Sequence, residues 1–242
     1  MGSLNKRLEN IAVNIRTVQK RVKVPLPANE HSVQLVCFGP SLRRTWGLID
    51  TTKPIVTVSG AHDFLRERGI IPTYHVEFDW RAHKALHITD PKETVFWLAS
   101  CCHPDVINKV PDPSLWHAEQ SLEEVEFIKE REGSAFFIPG GSSVGLRAIE
   151  LLYARGCRHF EIHGMDSSFD DDAEWAGPHY GKSRLIRDVI DVVAGGKSFK
   201  TSVAFLNYAG QFSVCRRLHP DVTFNLHGEG FLQTVNKMEI AA

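Results

Sequence analysis

Short apolar runs recur along this chain, each closed by glycine, proline or serine and followed by a segment whose apolar residues repeat every three to four positions. The first such segment, residues 4–23, carries Leu4, Leu8, Ile11, Ile15 and Val18 on one stripe among lysines and arginines, and predicts a helix. Residues 24–31 hold two prolines and form a connector. Strands are expected at 34–38, 54–59, 73–79 and 94–99, each an apolar or β-branched run, with a helix at 63–69 ended by Gly69. Residues 111–116 are irregular or a short strand, and the acidic stretch 122–130 is helical. The centre of the chain runs strand, glycine turn, helix, strand. Phe136, Phe137 and Ile138 are stopped by Pro139, Gly140 and Gly141. Ser142 or Ser143 caps a helix carrying Leu146, Ile149, Leu152 and Tyr153, and Gly156 ends it. Phe160 and Ile162 then alternate as a strand. Residues 170–178 form an acidic loop long enough to be a lid. Residues 189–193 and 198–201 flank Gly195-Gly196 as a hairpin with a two-residue turn. A helix at 201–217, a strand at 222–226 and a helix at 231–238 complete the pattern.

Strands alternating with helices give an α/β, Rossmann-like fold: a mostly parallel sheet with helices on both faces. The 242 residues divide into an N-terminal helix and connector, 1–30, and a single α/β nucleotide-binding domain, 31–242. A net charge of -1 gives no footprint for binding nucleic acid through its phosphates. No apolar run reaches membrane-spanning length, and the first ten residues lack the apolar core of a signal peptide. Five scattered cysteines without a CxxC pair indicate neither a zinc ribbon nor a disulfide framework, so a cytoplasmic setting is expected. Cys101, Cys102 and His103 form no nucleophile signature, and strand-end cysteines are usually inert.

In an open parallel sheet, ligands bind beyond the carboxyl ends of the strands, and several expected strands end there in polar residues. Gly39, Pro40 and Ser41 follow the first; backbone amides and Ser41 there suit a phosphate, and a rigid turn with a helix cap is the plainer use. Gly60, His62 and Asp63 follow the second: His62 is a candidate for ribose, base or phosphate, while Asp63 is also a natural helix cap. Glu77 and Asp79 alternate onto one face of the third, which suits a divalent cation or a hydroxyl-rich ligand, or else a salt bridge to Arg81. Gly140, Gly141, Ser142 and Ser143 would offer amides and hydroxyls to an anion at a helix N-terminus, or simply make a tight turn. Asp166 follows Gly164 at the next strand end and is a candidate for sugar hydroxyls or a metal. After the acidic loop, His179 is placed to act as general base, with Tyr180 and Lys182 beside it to steady a leaving phosphate.

The G-P-S-L at 39–42, the run VSGAHDFLRERGIIPTYHVEFDWRAHK and the run GGSSVGLRAIELLYARGCRHFEIHGMD together resemble bacterial proteins grouped with archaeal 6-hydroxymethylpterin diphosphokinase. That group includes the motility accessory factors that glycosylate flagellin. The resemblance covers about residues 34–182, and the tail more weakly. A more distant similarity is to bacterial sialyltransferases that use a cytidine monophosphate sugar. The shared positions are 39–42, 141–145, 164–166 and the pair His179-Tyr180, and the resemblance implies that His179 is the general base. Those enzymes begin the first loop G-N-G-P-S-L, where this chain has Cys37-Phe38; the diphosphokinases carry acidic residues in the glycine turn, where this chain has Ser142, Ser143 and Val144.

The combined expectation is a nucleotide-binding transferase resembling a nucleotide-sugar-dependent glycosyltransferase, taking a small-molecule nucleotide donor and an unidentified acceptor. The rival readings are an ATP- and Mg²⁺-dependent diphosphokinase, with Glu77, Asp79 and Asp166 at the metal, and a nucleotide-binding module without catalysis. No tightly bound cofactor is expected, and homo-oligomerisation is left open.

Overall fold

Strands buried on both faces need apolar residues at every position rather than at alternate ones. That is the character of β2 (Ile55–Val58) and of most of β4 (Val95–Ala99). The computed structural model describes residues 2–170, 173–177 and 189–241. Among these, eight strands form one sheet in the order β10-β7-β1-β2-β3-β4-β5-β6, every pair parallel. The others are β1 (Asn29–Val36), β3 (Tyr74–Glu77), β5 (Ser114–Ala118), β6 (Phe137–Ile138), β7 (Cys157–His163) and β10 (Thr223–His227). The expected hairpin is β8 (Val189–Ala194) with β9 (Lys197–Ser202), antiparallel and outside the main sheet. Its two glycines both have positive φ, 56° and 74°, as the two central residues of a type I′ turn require.

The alternation of β1 sends Val33 and Leu35 into the large core cluster and Val36 into a second, with Ile55, Phe64 and Leu65. The second cluster is covered by α2 (Leu42–Thr45) and α3 (Ala61–Arg66); the first receives α6 (Val144–Ala154) and α7 (Val203–Leu218). The sheet is thus flanked by helices, as expected. The remaining helices are α1 (Gly2–Thr17), α4 (Pro104–Lys109), α5 (Leu122–Glu132) and α8 (Phe231–Ala241). None of the described helices is long and apolar enough to cross a membrane.

The N-terminal helix is joined to the α/β domain. Ile11 lies in the main core, and the Asn10 and Asn14 side-chain amides donate to carbonyls of Trp80, Ser100, Cys101 and Cys102 at the carboxyl ends of β3 and β4. Helix α1 ends at Thr17, six residues before the expected boundary. Beyond it the chain is extended: Leu115 N–H donates to Lys20 O and Val22 N–H to Leu115 O. The period-two run Arg21-Val22-Lys23-Val24 suits that extended course better than a helix.

Candidate functional site

After β1 the chain builds the sheet outward through β2 to β6, then crosses back to lay β7 on the other side of β1. This reversal leaves a crevice beyond the carboxyl ends of β1 and β7, the position at which open α/β sheets bind ligands. Two glycines let the loops there meet. A Cβ on Gly39 would lie 2.5 Å from Gly164 O, and one on Gly164, whose φ is +64°, would lie 2.4 Å from Cys37 O. Without side chains in the way, Cys37 N–H donates to His163 O at 2.8 Å and Gly39 N–H to Gly164 O at 2.7 Å, extending the β1–β7 pairing past the strands.

Asp166 is the knot of this crossing. Its Oδ2 accepts from the Ser41 amide at 2.8 Å, its Oδ1 from Gln233 Nε2 at 2.9 Å, and its carbonyl from Leu232 N–H in α8. It is buried, and burial pushes its carboxyl above the usual range, against the opposing pull of the hydrogen bonds from Ser41 and Gln233 and the charge of Arg44. Asp166 therefore holds the G-P-S-L loop in shape, and much of its hydrogen-bonding capacity is spent within the protein.

Two cavities flank the knot. One, of about 180 Å³, lies among the β1 loop, the β7 loop and the start of α6. Ser143 caps α6, its Oγ accepting from Leu146 N–H at 3.3 Å, and the first-turn residues Val144 and Gly145 face the space. Amides this early in a helix precede its internal hydrogen bonds, and the helix end carries partial positive charge. Trp175, Phe205 and Tyr208 close the opposite wall. The other cavity, about 420 Å³, shares Pro40, Asp166 and Ser168 with the first and extends past Ser41, Arg44, Asp191, Lys200 and Glu229. Arg44 pairs with Asp170 at 2.5 Å. The chain after β7 returns to the β1 loop, Ala176 N–H donating to Phe38 O and Arg43 to the carbonyls of Trp175 and Ala176. Gly177 lies against the Phe38 ring. His179, Tyr180 and Lys182 lie outside the described residues.

Of the expected site residues, Gly39, Pro40, Ser41, Ser143 and Asp166 meet at the crevice. The rest have other surroundings. Gly140 and Gly141 border a separate cavity between α6 and α7, and the Ser142 amide and hydroxyl both donate to Gln211 Oε1. The turn is also gripped by buried Arg147, which donates to the carbonyls of Gly141, Ile138 and Glu119. Gly60 makes room for the Phe38 ring: a Cβ there would lie 2.3 Å from it. His62 is completely buried, packed on His75 and Phe96, with Nδ1 2.9 Å from Asp63 Oδ1. Asp63 takes the Thr89 amide on both oxygens, tying α3 to the loop before β4.

Glu77 and Asp79 do not form an open pair of carboxylates. Strand β3 ends at Glu77, whose Oε1 accepts from the amides of Phe78 and Asp79, while Asp79 pairs with Arg81 and, at 3.9 Å, with Lys84. Burial raises Glu77; for Asp79, the hydrogen bond to Arg81 and the charges of Lys84 and Arg81 outweigh burial and lower it. A carboxylate bonded to two amides and another neutralised by two cations do not suit a Mg²⁺ chelate. Lys84, itself buried, donates to Ser59 Oγ at the carboxyl end of β2, so this ion group braces the floor of the crevice. Cys101 and Cys102 are buried, and burial pushes both thiols up, which fits inert side chains.

Sequence reasoning passed over Arg44, Lys200 and Gln233. Arg43-Arg44 stands directly after G-P-S-L, and two cations one helical turn from such a loop were the available signal. Lys200 and Gln233 come from β9 and α8, far along the chain, and carried none.

The fold and crevice define an open, doubly wound α/β protein with its pocket at the topological switch point. The chain belongs to the family described as 6-hydroxymethylpterin diphosphokinase MptE-like, whose model matches residues 5–172. No curated protein matches it in sequence. In three dimensions it is similar to the MAf glycosyltransferase from Magnetospirillum magneticum AMB-1, with a TM-score of 0.68 and 12% identity, over 97% of this chain. The chain spans 41% of the length of that protein.

Proposed function

We propose that the chain is a nucleotide-binding transferase of glycosyltransferase type that holds its donor in the crevice between β1 and β7. The observation that carries this reading is the meeting of the G-P-S-L loop, the capped N-terminus of α6 and Asp166 at the switch point of the sheet. The first-turn amides of α6 and the Ser143 hydroxyl suit the donor's phosphate, the aromatic wall of Trp175, Phe205 and Tyr208 suits a base or sugar face, and the wider cavity suits the acceptor. Asp166 acts as a positioning residue by fixing the Ser41 amide. His179 takes the proton from the acceptor hydroxyl as that oxygen attacks the donor's anomeric carbon, and the bond to the leaving phosphate breaks. Tyr180 and Lys182 steady the charge left on that phosphate.

The family description also supports a second reading, an ATP-dependent diphosphokinase, for which Glu77 and Asp79 are poorly suited as metal ligands. A thermal-shift screen with cytidine, uridine, guanosine and adenosine nucleotides, with and without Mg²⁺, separates the two. A ligand at a hundredfold excess over its Kd adds about 2.7 kcal/mol of apparent stability. Preference for a nucleotide monophosphate or nucleotide sugar without Mg²⁺ supports the transferase; strictly Mg²⁺-dependent ATP preference supports the diphosphokinase. Single-turnover rates with the best donor and a panel of acceptors then test His179→Ala, expected to slow the reaction by about 10²–10⁴ with donor affinity kept. Equal rates in the two proteins refute the histidine-base step, and binding without turnover under every condition identifies a non-catalytic module.

A further inference from the structure

Away from the crevice, α6 and α7 bring three chemically different ligand groups together. A carboxylate oxygen of Glu150, Sγ of Cys215 and a ring nitrogen of His219 all lie within 4.8 Å of one another. Cys215 lies in the last turn of α7 and His219 is the residue that caps its end, its amide donating to Cys215 O. Glu150 reaches them from α6, its two oxygens 3.1 and 3.0 Å from His219 Nε2. Glu150 and Cys215 are buried, and both line a cavity of about 280 Å³ between the two helices.

We propose that these residues bind one borderline-soft divalent transition-metal ion, with the chemistry of Zn²⁺. The Cys215 thiolate, His219 Nε2 and a Glu150 oxygen supply three ligands, and the cavity supplies a water as the fourth. Zinc bonds of about 2.0–2.3 Å in a tetrahedron set ligand atoms roughly 3.3–3.8 Å apart. Glu150 and His219 already stand near that spacing, and all three ligand atoms lie within 4.8 Å of one another. Sulfur and imidazole nitrogen disfavour Ca²⁺ and Mg²⁺, which take oxygen ligands. The charges also balance: one dication meets one thiolate, one carboxylate and a neutral imidazole, so the filled site is neutral and tolerates burial.

Binding of the ion breaks the Cys215 S–H bond, forms the metal–sulfur bond and releases one proton to solvent. The ion would clamp the end of α7 to the middle of α6. The opposite ends of these helices supply Val144, Gly145, Phe205 and Tyr208 to the crevice, so the clamp would fix its walls.

The test uses the full chain stripped with a chelator and titrated with Co²⁺ alone, then with Zn²⁺ in competition. The expected result is one equivalent of Co²⁺ bound, with a thiolate-to-cobalt charge-transfer band that Zn²⁺ displaces. C215S removes the band, E150Q and H219Q each weaken binding by about tenfold or more, and C157S leaves it unchanged. E150Q keeps the volume and a hydrogen-bonding carbonyl, so it stays decisive if C215S does not fold. Absence of the band in the wild type, its persistence in C215S, or unchanged affinity in folded E150Q and H219Q overturns the proposal. Each outcome is independent of whether the crevice binds a nucleotide.

Discussion

Gly39→Ala isolates the contact on which the crevice depends. The φ of Gly39 lies outside the left-handed region, so alanine meets no conformational penalty there, and the effect is steric. Its Cβ would stand 2.5 Å from Gly164 O and 2.6 Å from Asp166 Oδ2, against the 3.4 Å at which ordinary contact begins. Neither neighbour retreats freely. Gly164 O is backbone and accepts from Gly39 itself at 2.7 Å; Asp166 Oδ2 holds the Ser41 amide. Overpacking of this kind costs about 1–3 kcal/mol. Displacing the carboxylate breaks a hydrogen bond to a charged acceptor, a further loss of about 1.5–3 kcal/mol. The expected destabilisation is therefore about 2.5–6 kcal/mol, read by urea unfolding through tryptophan fluorescence. Nucleotide affinity, measured in the folded fraction, should fall at least about tenfold, because the G-P-S-L loop and the α6 N-terminus no longer converge. A variant within about 0.5 kcal/mol of wild type, with unchanged nucleotide affinity, would refute the argument that this close approach builds the site.

Gly210→Ala places the same methyl group inside α7, where nothing lies within 4 Å, and should stabilise the protein by about 0.5–1 kcal/mol in the same urea assay. His163 is buried, its ring stacked on His227 with centroids 4.3 Å apart, and burial, followed by the His227 charge, lowers its pKa to about 4. The unfolded chain therefore binds a proton more readily than the native protein between about pH 6.5 and 4. This contribution to stability is complete above pH 6.5 and is lost as pH falls through that window. Linkage puts the loss from neutral pH to pH 5 at about 2 kcal/mol. His163→Gln, which still reaches Gln34, should lessen the acid sensitivity by that amount in urea melts at the two pH values; parallel wild-type and variant losses would contradict the assignment.

The central strands β2 and β4 were legible because they are buried on both faces and so read as nearly continuous apolar runs between turn residues, and β7 because Phe160 and Ile162 alternate. The hairpin was legible because Gly195-Gly196 admits little else. What escaped were polar extended segments held by neighbours. The first residues of β1, Asn29 to Ser32, are held on β7 by an interrupted backbone pairing and the contact of Glu30 with His159, and the extended course after α1 is fixed by Leu115, nearly a hundred residues away. Strand β5 runs two residues past its expected end because His117 is buried between Ser100 and Glu132, partners that local pattern does not reveal.

The candidate site divides in the same way. G-P-S-L, Ser143 and Gly164 to Asp166 were legible because loop-forming residues at strand ends have few other uses. His62, Asp63, Glu77 and Asp79 also stand at or just past strand ends, but their side chains turn to Phe96, Thr89, backbone amides and Lys84. Position along a strand is written in the sequence; which neighbour claims the side chain is set by the packing of the next element.

Hydrogen–deuterium exchange of the full chain with saturating nucleotide, chosen from the thermal screen, tests the nucleotide site most directly. Slowed exchange is expected at the first-turn amides of Val144 and Gly145, whereas the amides of Gly39, Ser41 and Ser142, already bonded to Gly164, Asp166 and Gln211, should change little. Protection confined to the cavity between α6 and α7, or no protection with any nucleotide tested, would contradict a donor site in the crevice between β1 and β7.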